Sequence, residues 1–195
     1  LVGSEMCIRD SMEQEYPTEE TEALSPPRAQ SIFDREIIIG MEDYCIEPIR
    51  QVGAGNIYQD ARPGKRYVAG TDVAAGVGMD YSITVIVDIN TGYVVADLVT
   101  NTMQPEDFSV ASMDLLEEYS NPEWAIENNF SDTVLTIARD ENYPRLFRRR
   151  VGRGKNQRRE YGWKTDRMSR QAMFDELRAT FNAGQLTIPN KYGLD

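Results

Sequence analysis

The sequence predicts an α/β fold in which a mixed β-sheet carries helices on its faces. Three segments rich in β-branched residues, 66–72, 81–89 and 93–99, follow one another with short connections, which is typical of antiparallel strands. A helical pattern separates them from a fourth strand at 123–128, as expected where a strand joins a sheet through a crossover. The chain of 195 residues is long enough for one such domain with attached segments.

The part of the chain before residue 66 carries weaker signals. Residues 1–11 share no pattern or composition with the rest and are expected to be non-native read-through. Residues 12–30 are polar and contain prolines, as linkers do. The apolar spacing in 32–45 predicts a short helix, and residues 46–65 are predicted to be irregular.

The compact domain is predicted to start at residue 66. Asn90, Thr91 and Gly92 form the predicted turn of a hairpin between the second and third strands. Pro105, followed by two acidic residues, marks the start of a helix, because proline suits the first turn and acids oppose the helix dipole. Ser131 is the expected cap of the next helix. The predicted inner faces of the two helices are Phe108, Ala111, Leu115 and Tyr119, then Val134, Leu135 and Ala138.

The C-terminal third begins with a basic segment, 144–165, that predicts two short strands joined by a glycine-bearing loop in a hairpin. Thr165 is the expected cap of a helix that Gly184 ends. Residues 185–189 predict a last strand. The inner face of the helix is expected to contain Met173, Leu177 and Phe181.

Charge is unevenly distributed along the chain. The net charge is −11, yet residues 139–170 contain 12 Lys/Arg against 4 Asp/Glu, and the remainder carries −19. A compact basic segment on an acidic body is a candidate binding site for a polyanion. The structural alternative is a solvated charged loop.

The absence of histidine restricts the possible chemistry. It excludes a histidine base, Ser-His and Cys-His pairs and histidine-ligated zinc, so acid–base or metal chemistry must use carboxylates. Two cysteines are too few for a disulfide framework. No apolar run approaches the roughly 18 residues of a membrane span, which predicts a soluble chain without membrane contacts.

Two acidic residues end predicted strands, Asp72 the first and Glu127 the fourth. If these strands are parallel neighbours, the carboxylates face each other and can bind a hard divalent cation. The structural alternatives are a helix or turn cap for Asp72 and a solvent-facing strand end for Glu127. The glycine-rich stretch 74–80 is neither a Walker loop nor a dinucleotide fingerprint, but it also suits the phosphate loop of actin-like and sugar kinases.

Four motifs follow one another along the chain: YVAGTDVAAGVGMDYSITVIVD from residue 67, WAIENN from 124, YPRLFRRR from 143 and YGWKTDRMSRQAMFDELRATFNAGQLTIP from 161. This ordered series resembles the nuclease domain of phage terminase large subunits. The resemblance covers about residues 12–195 and implies an RNase H-like fold for 66–195. It also implies that 12–65 are the end of a packaging-ATPase domain and its linker.

The resemblance implies that Asp72 and Glu127 are metal ligands, with Asp80 as a further acidic position. It implies two Mg²⁺ or Mn²⁺ ions, double-stranded DNA as substrate, and the portal protein and small terminase subunit as partners in the host cytoplasm. The family's last catalytic aspartate lies beyond a strand like 185–189, so we expect the 195-residue chain to be truncated and a weak nuclease.

The function expected from the sequence is metal-dependent endonucleolytic cleavage of viral DNA during genome packaging. Phosphate contacts that do not read sequence are expected from the basic segment. An actin- or sugar-kinase-like phosphotransferase or ATPase and a non-catalytic DNA-binding module remain alternatives. The predicted DNA-contacting residues are Arg148, Arg149, Arg150, Arg153, Lys155, Arg158 and Arg159.

Overall fold

The computed structural model describes Phe33 and residues 35–74, 78, 80–129, 132–152 and 154–191. Six strands form one mixed sheet in the order β1-β2-β5-β4-β3-β6, and two more form a separate hairpin. Within the sheet only β3 and β6 pair in parallel, so the predicted mixed sheet is confirmed. The strands are β1 Arg50–Val52, β2 Gly55–Ile57, β3 Tyr67–Asp72, β4 Ser82–Asp88, β5 Tyr93–Thr100, β6 Glu123–Ile126, β7 Arg148–Val151 and β8 Arg158–Tyr161.

Four α-helices accompany the strands in the described part of the chain. The N-terminal helix predicted within 32–45 is confirmed, and Pro105 opens the next one. None of the helices in the described residues combines the length and apolar character needed to cross a bilayer. The helices are α1 Arg35–Glu42, α2 Pro105–Glu117, α3 Thr133–Asp140 and α4 Arg167–Asn182.

The core lies between one face of the sheet and the pair α2 and α3. In β4 every second residue is buried, because successive side chains of a strand point to opposite faces. Helix α2 packs against α3 and contacts β2, β4 and β5. The fully buried side chains include Phe108, Leu115, Leu116, Trp124, Ile126 and Val134.

A chain of buried polar groups crosses this core beneath β3. The Trp124 indole N–H donates to Thr71 Oγ1 over 2.8 Å. The Thr71 and Thr84 hydroxyls are 2.7 Å apart, and Thr84 and Ser112 are 2.9 Å apart. The chain therefore links β6, β3, β4 and α2 through groups that have no access to water.

Residues 46–65 are not irregular, so that prediction is wrong. They contain β1 and β2, which extend the sheet beyond β5. Each strand has three residues, too few to show the period of two that identifies a strand. Gly55 in β2 lies close to α2, since an added Cβ would be 2.9 Å from Leu115 Cδ1. The close approach of β2 to α2 thus selects a glycine where the sequence suggests a loop.

Two predictions about the C-terminal third are also wrong in detail. Asp166, not Thr165, caps α4, since its carboxylate accepts from the Met168 and Ser169 N–H groups. Residues 185–189 make one parallel bridge, Thr187 to Tyr93, because β2 occupies the edge of β5 from Ala96 onward.

The predicted inner face of α4 is only partly confirmed. Phe181 is buried, and its ring lies 5.2 Å from that of Phe33. Met173 and Leu177 are 47% and 40% exposed. The predicted cap Ser131 lies outside the described residues, and Asp132 occupies the cap position of α3 without a side-chain capping bond.

Replacement of Thr71 by valine should lower the free energy of unfolding by about 1–3 kcal/mol, because the Trp124 N–H loses its acceptor inside the core. Ser112→Ala is the matched control at the end of the same chain. It should cost only about 0.5–1.5 kcal/mol, since Thr84 keeps Thr71 as its partner. Urea denaturation measures both, and equal losses would show that the hydroxyls do not act as a chain.

Candidate metal centre and nucleic-acid interface

The parallel pairing of β3 with β6 brings Asp72 and Glu127 together. Thr71 lies opposite Ile126, and the Glu127 N–H donates to the Thr71 carbonyl over 2.9 Å. Thr71 and Ile126 point into the core, so the residues that follow them point to the other face of the sheet. The Glu127 carboxyl is close enough to Asp72 to perturb its ionisation.

The surroundings of Asp72 disfavour its charged form. The pKa of Asp72 is raised above its ordinary value, first because surrounding protein removes water from the carboxyl and second because of the adjacent Glu127 charge. The Val73 N–H and the positive charge of Arg170, in the first turn of α4, act in the opposite direction. A site that raises the pKa of a carboxyl in this way favours the arrival of a positive charge between the two groups.

Asn129 fixes the Glu127 side chain. Its amide Nδ2 donates to Glu127 Oε1 and to the Thr165 carbonyl, each over 2.8 Å. The Thr165 N–H donates back to Asn129 Oδ1 over 3.0 Å. One amide therefore couples the orientation of the Glu127 carboxylate to the segment that leads into α4.

Asp80 does not join this pair in the described part of the chain. Its side chain is exposed, and the described residues contain no group of three or more histidine, cysteine or acidic residues that could hold a metal ion. Most of the glycine-rich stretch lies outside the described residues, at 75–77 and 79. The predicted role of Asp80 stays a prediction.

The predicted basic hairpin is confirmed and is attached beside Glu127. Strands β7 and β8 pair in antiparallel, and the segments that enter and leave them form bridges to β6, Leu146 to Trp124 and Trp163 to Glu127. Gly162 makes the return possible. It has φ +77°, and an added Cβ would lie 2.9 Å from the Ile126 carbonyl oxygen.

The register of the hairpin separates its arginines into two sets. Arg149 lies opposite Glu160 and donates to it over 2.9 Å, while Arg158 donates to the same carboxylate over 2.8 Å. These bonds, from Arg158 first and then Arg149, lower the pKa of Glu160. This face therefore holds the two neutralised arginines of the hairpin.

The opposite face of the hairpin lies towards α3. Arg148 is paired with Tyr161 and Arg150 with Arg159. In the part of the chain that the structure describes, none of these three arginines forms an ion pair with a carboxylate. Arg153 lies outside the described residues, and Lys155 belongs to the short 3₁₀ turn Gly154–Asn156.

Several residues of this region are absent from the sequence-based expectations. Asn129 lies two residues after Glu127, where the sequence alone gives it the character of an ordinary polar loop residue. Glu160 gives no signal that it neutralises two arginines, whereas the strict alternation of a strand could have separated Arg149 from Arg148 and Arg150. The charge of Arg170 acts on Asp72 because of where α4 lies in the fold, which the sequence does not indicate.

No protein-family model and no curated protein matches the sequence. Solved structures do match. The large terminase nuclease from thermophilic phage G20c is 19% identical, with a TM-score of 0.59 over 81% of this chain and 77% of that chain. Its zinc-bound structure matches 82% of this chain and 85% of that chain, at the same identity and TM-score.

That nuclease has also been solved with bound magnesium and with bound cobalt. The large terminase nuclease domain of Thermus phage P74-26 is 18% identical, with a TM-score of 0.56 over 80% of this chain and 73% of that chain. The chain therefore has the RNase H-like α/β fold of the phage large terminase nucleases.

Proposed function

We propose that the protein is a metal-dependent endonuclease that cuts double-stranded DNA during viral genome packaging, as the nuclease part of a terminase large subunit. The observation that carries the proposal is the placement of Asp72 and Glu127 side by side at the ends of two parallel, paired strands. The shared fold with a phage nuclease solved with magnesium, zinc and cobalt supports it.

The residues present fit a divalent cation. Two adjacent carboxylates supply the hard oxygen ligands that Mg²⁺ and Mn²⁺ prefer, and a cation would relieve the repulsion that raises the pKa of Asp72. Asp72 and Glu127 would hold the ion. When bound, a cation of this kind supplies positive charge to a phosphodiester under attack and promotes ionisation of water.

The neighbouring residues prepare the site for this substrate. Asn129 keeps the Glu127 carboxylate in one orientation, so that less ordering is needed when a ligand binds. The Arg170 charge near Asp72 favours the approach of a phosphate. Arg148, Arg150 and Arg159, which have no carboxylate partners in the described chain, are available to contact the DNA backbone without reading sequence.

The partners follow from the same proposal. Double-stranded DNA is the substrate, and the portal protein and small terminase subunit would meet the enzyme in the host cytoplasm. A non-catalytic DNA-binding module is the second candidate. This candidate is favoured by the small number of carboxylates at the site, two in the described residues, because catalysis with two metal ions uses more anionic ligands.

A plasmid-nicking assay with Mn²⁺ separates these two functions. The unmodified chain should nick supercoiled DNA weakly, and Glu127→Gln should remove that nicking while duplex affinity in EDTA stays within about twofold, because the change removes a metal ligand and no phosphate contact. Glu117→Gln, at an exposed carboxylate in the last turn of α2, is the control and should nick as the unmodified chain does. Duplex binding without any Mn²⁺-dependent nicking would favour the non-catalytic module.

Asn129→Ala should weaken Mn²⁺ binding by roughly tenfold, because partners that orient a ligand commonly contribute 10–100-fold to metal affinity. Asn142→Gly is the control, since the Asn142 side-chain amide donates to the nearby Asp140 carbonyl and glycine tolerates the φ of +57° at this position. Calorimetric titration of Mn²⁺ measures both variants. An unchanged dissociation constant for Asn129→Ala would show that Glu127 does not need this contact.

A further inference from the structure

A groove of about 700 Å³ lies between the C-terminal end of α3 and the α3-facing side of the hairpin. Tyr161, one of its walls, packs against the core shared by α2 and α3. Neither Asp72 nor Glu127 lines the groove, which is therefore distinct from the candidate metal centre. Its lining includes Arg139, Arg148, Arg159, Tyr143 and Tyr161, together with Glu123 and Asp140.

The charge in this groove is arranged to receive an anion. Three arginines and two acidic residues line it, and in the described chain Arg139, Arg148 and Arg159 form no ion pair. On the other side of the same hairpin, Arg149 and Arg158 are both neutralised by Glu160. The hairpin therefore presents its free positive charge towards α3.

Tyr161 holds two of these arginines in place. The guanidinium carbon of Arg148 lies 4.1 Å from the centre of the Tyr161 ring, and that of Arg139 lies 5.1 Å from it. Arg148 also donates to the Tyr161 hydroxyl. Cation–π contacts of this kind restrict long side chains before a ligand arrives, which lowers the entropic cost of binding.

We infer that this groove binds backbone phosphates of duplex DNA. Planar guanidinium groups match phosphate oxygens in geometry and charge. The groove is open and polar, as suits a continuous backbone rather than an enclosed small molecule. The inference rests on the proposed function only for the choice of DNA, because the groove would hold the backbone even if the carboxyl pair cut nothing.

Duplex binding in EDTA tests the inference without any contribution from metal or cleavage. The anisotropy of a fluorescein-labelled 20-base-pair duplex is measured over a range of salt concentrations for Arg139→Gln and for Arg145→Gln. Arg145 is exposed and close in sequence, yet it does not line the groove. Loss of one phosphate contact should reduce the salt slope by about 0.9 and the affinity at 0.1 M salt by roughly tenfold for Arg139→Gln only.

The two faces of the hairpin give a second comparison. Arg159→Gln should lose more affinity than Arg158→Gln, because only Arg159 lines the groove. Tyr161→Leu should weaken binding more than Tyr161→Phe, which keeps the ring, and thermal unfolding identifies any variant that fails to fold. Equal losses for Arg139→Gln and Arg145→Gln would overturn the inference, since diffuse attraction would then explain binding. A second result would also overturn it. Inorganic phosphate would protect the wild type but not Arg139→Gln against thermal unfolding, while Arg139→Gln bound the duplex as tightly as the wild type.

Discussion

The parallel pairing of β3 with β6 is the contact on which the rest of the candidate site depends. It is the one parallel pairing in the described six-stranded sheet, and it sets the two strand ends at one level. Parallel strands require a crossover, and here the α2 crossover brings β6 to the free edge of β3. The buried bond from Trp124 to Thr71 ties the same two strands together from the core side. A register slip would therefore separate the carboxyls and leave buried polar groups without partners.

The elements that follow β6 extend this arrangement. Asn129 joins Glu127 to Thr165, and the next residue, Asp166, caps α4, so the helix that brings Arg170 near Asp72 starts from a position fixed by the strand end. The hairpin leaves and rejoins the edge of β6 within the same few residues. Its alternating side chains place the neutralised arginines on one face and the arginines without ion pairs in the described chain on the face towards α3. One edge strand thus organises both the acidic site and the basic surface.

Much of this architecture is predictable from sequence because it depends on local patterns. The β-branched runs, the Pro105 helix start and the crossover before Glu123 suffice to predict strands whose ends carry Asp72 and Glu127. The three-residue strands β1 and β2 escape prediction, since they form only because β5 offers an edge. The bridge from Thr187 to Tyr93 likewise forms only because β5 offers a free edge there. Asn129, Glu160 and Arg139 acquire their roles from contacts with residues distant in sequence or across a hairpin, and no periodicity reports such contacts.

The central claim is that Asp72 and Glu127 form one cation site, and thermal unfolding with and without millimolar Mn²⁺ tests it most directly. A ligand that binds only the folded state raises the free energy of unfolding by RT ln(1 + [L]/Kd), and the melting temperature rises with it. We expect Mn²⁺ to raise the melting temperature of the unmodified chain. Asp72→Asn, Glu127→Gln and the double variant should each lose nearly all of that shift, because two ligands of one ion are not additive. Retention of the full shift by either single variant would contradict the account.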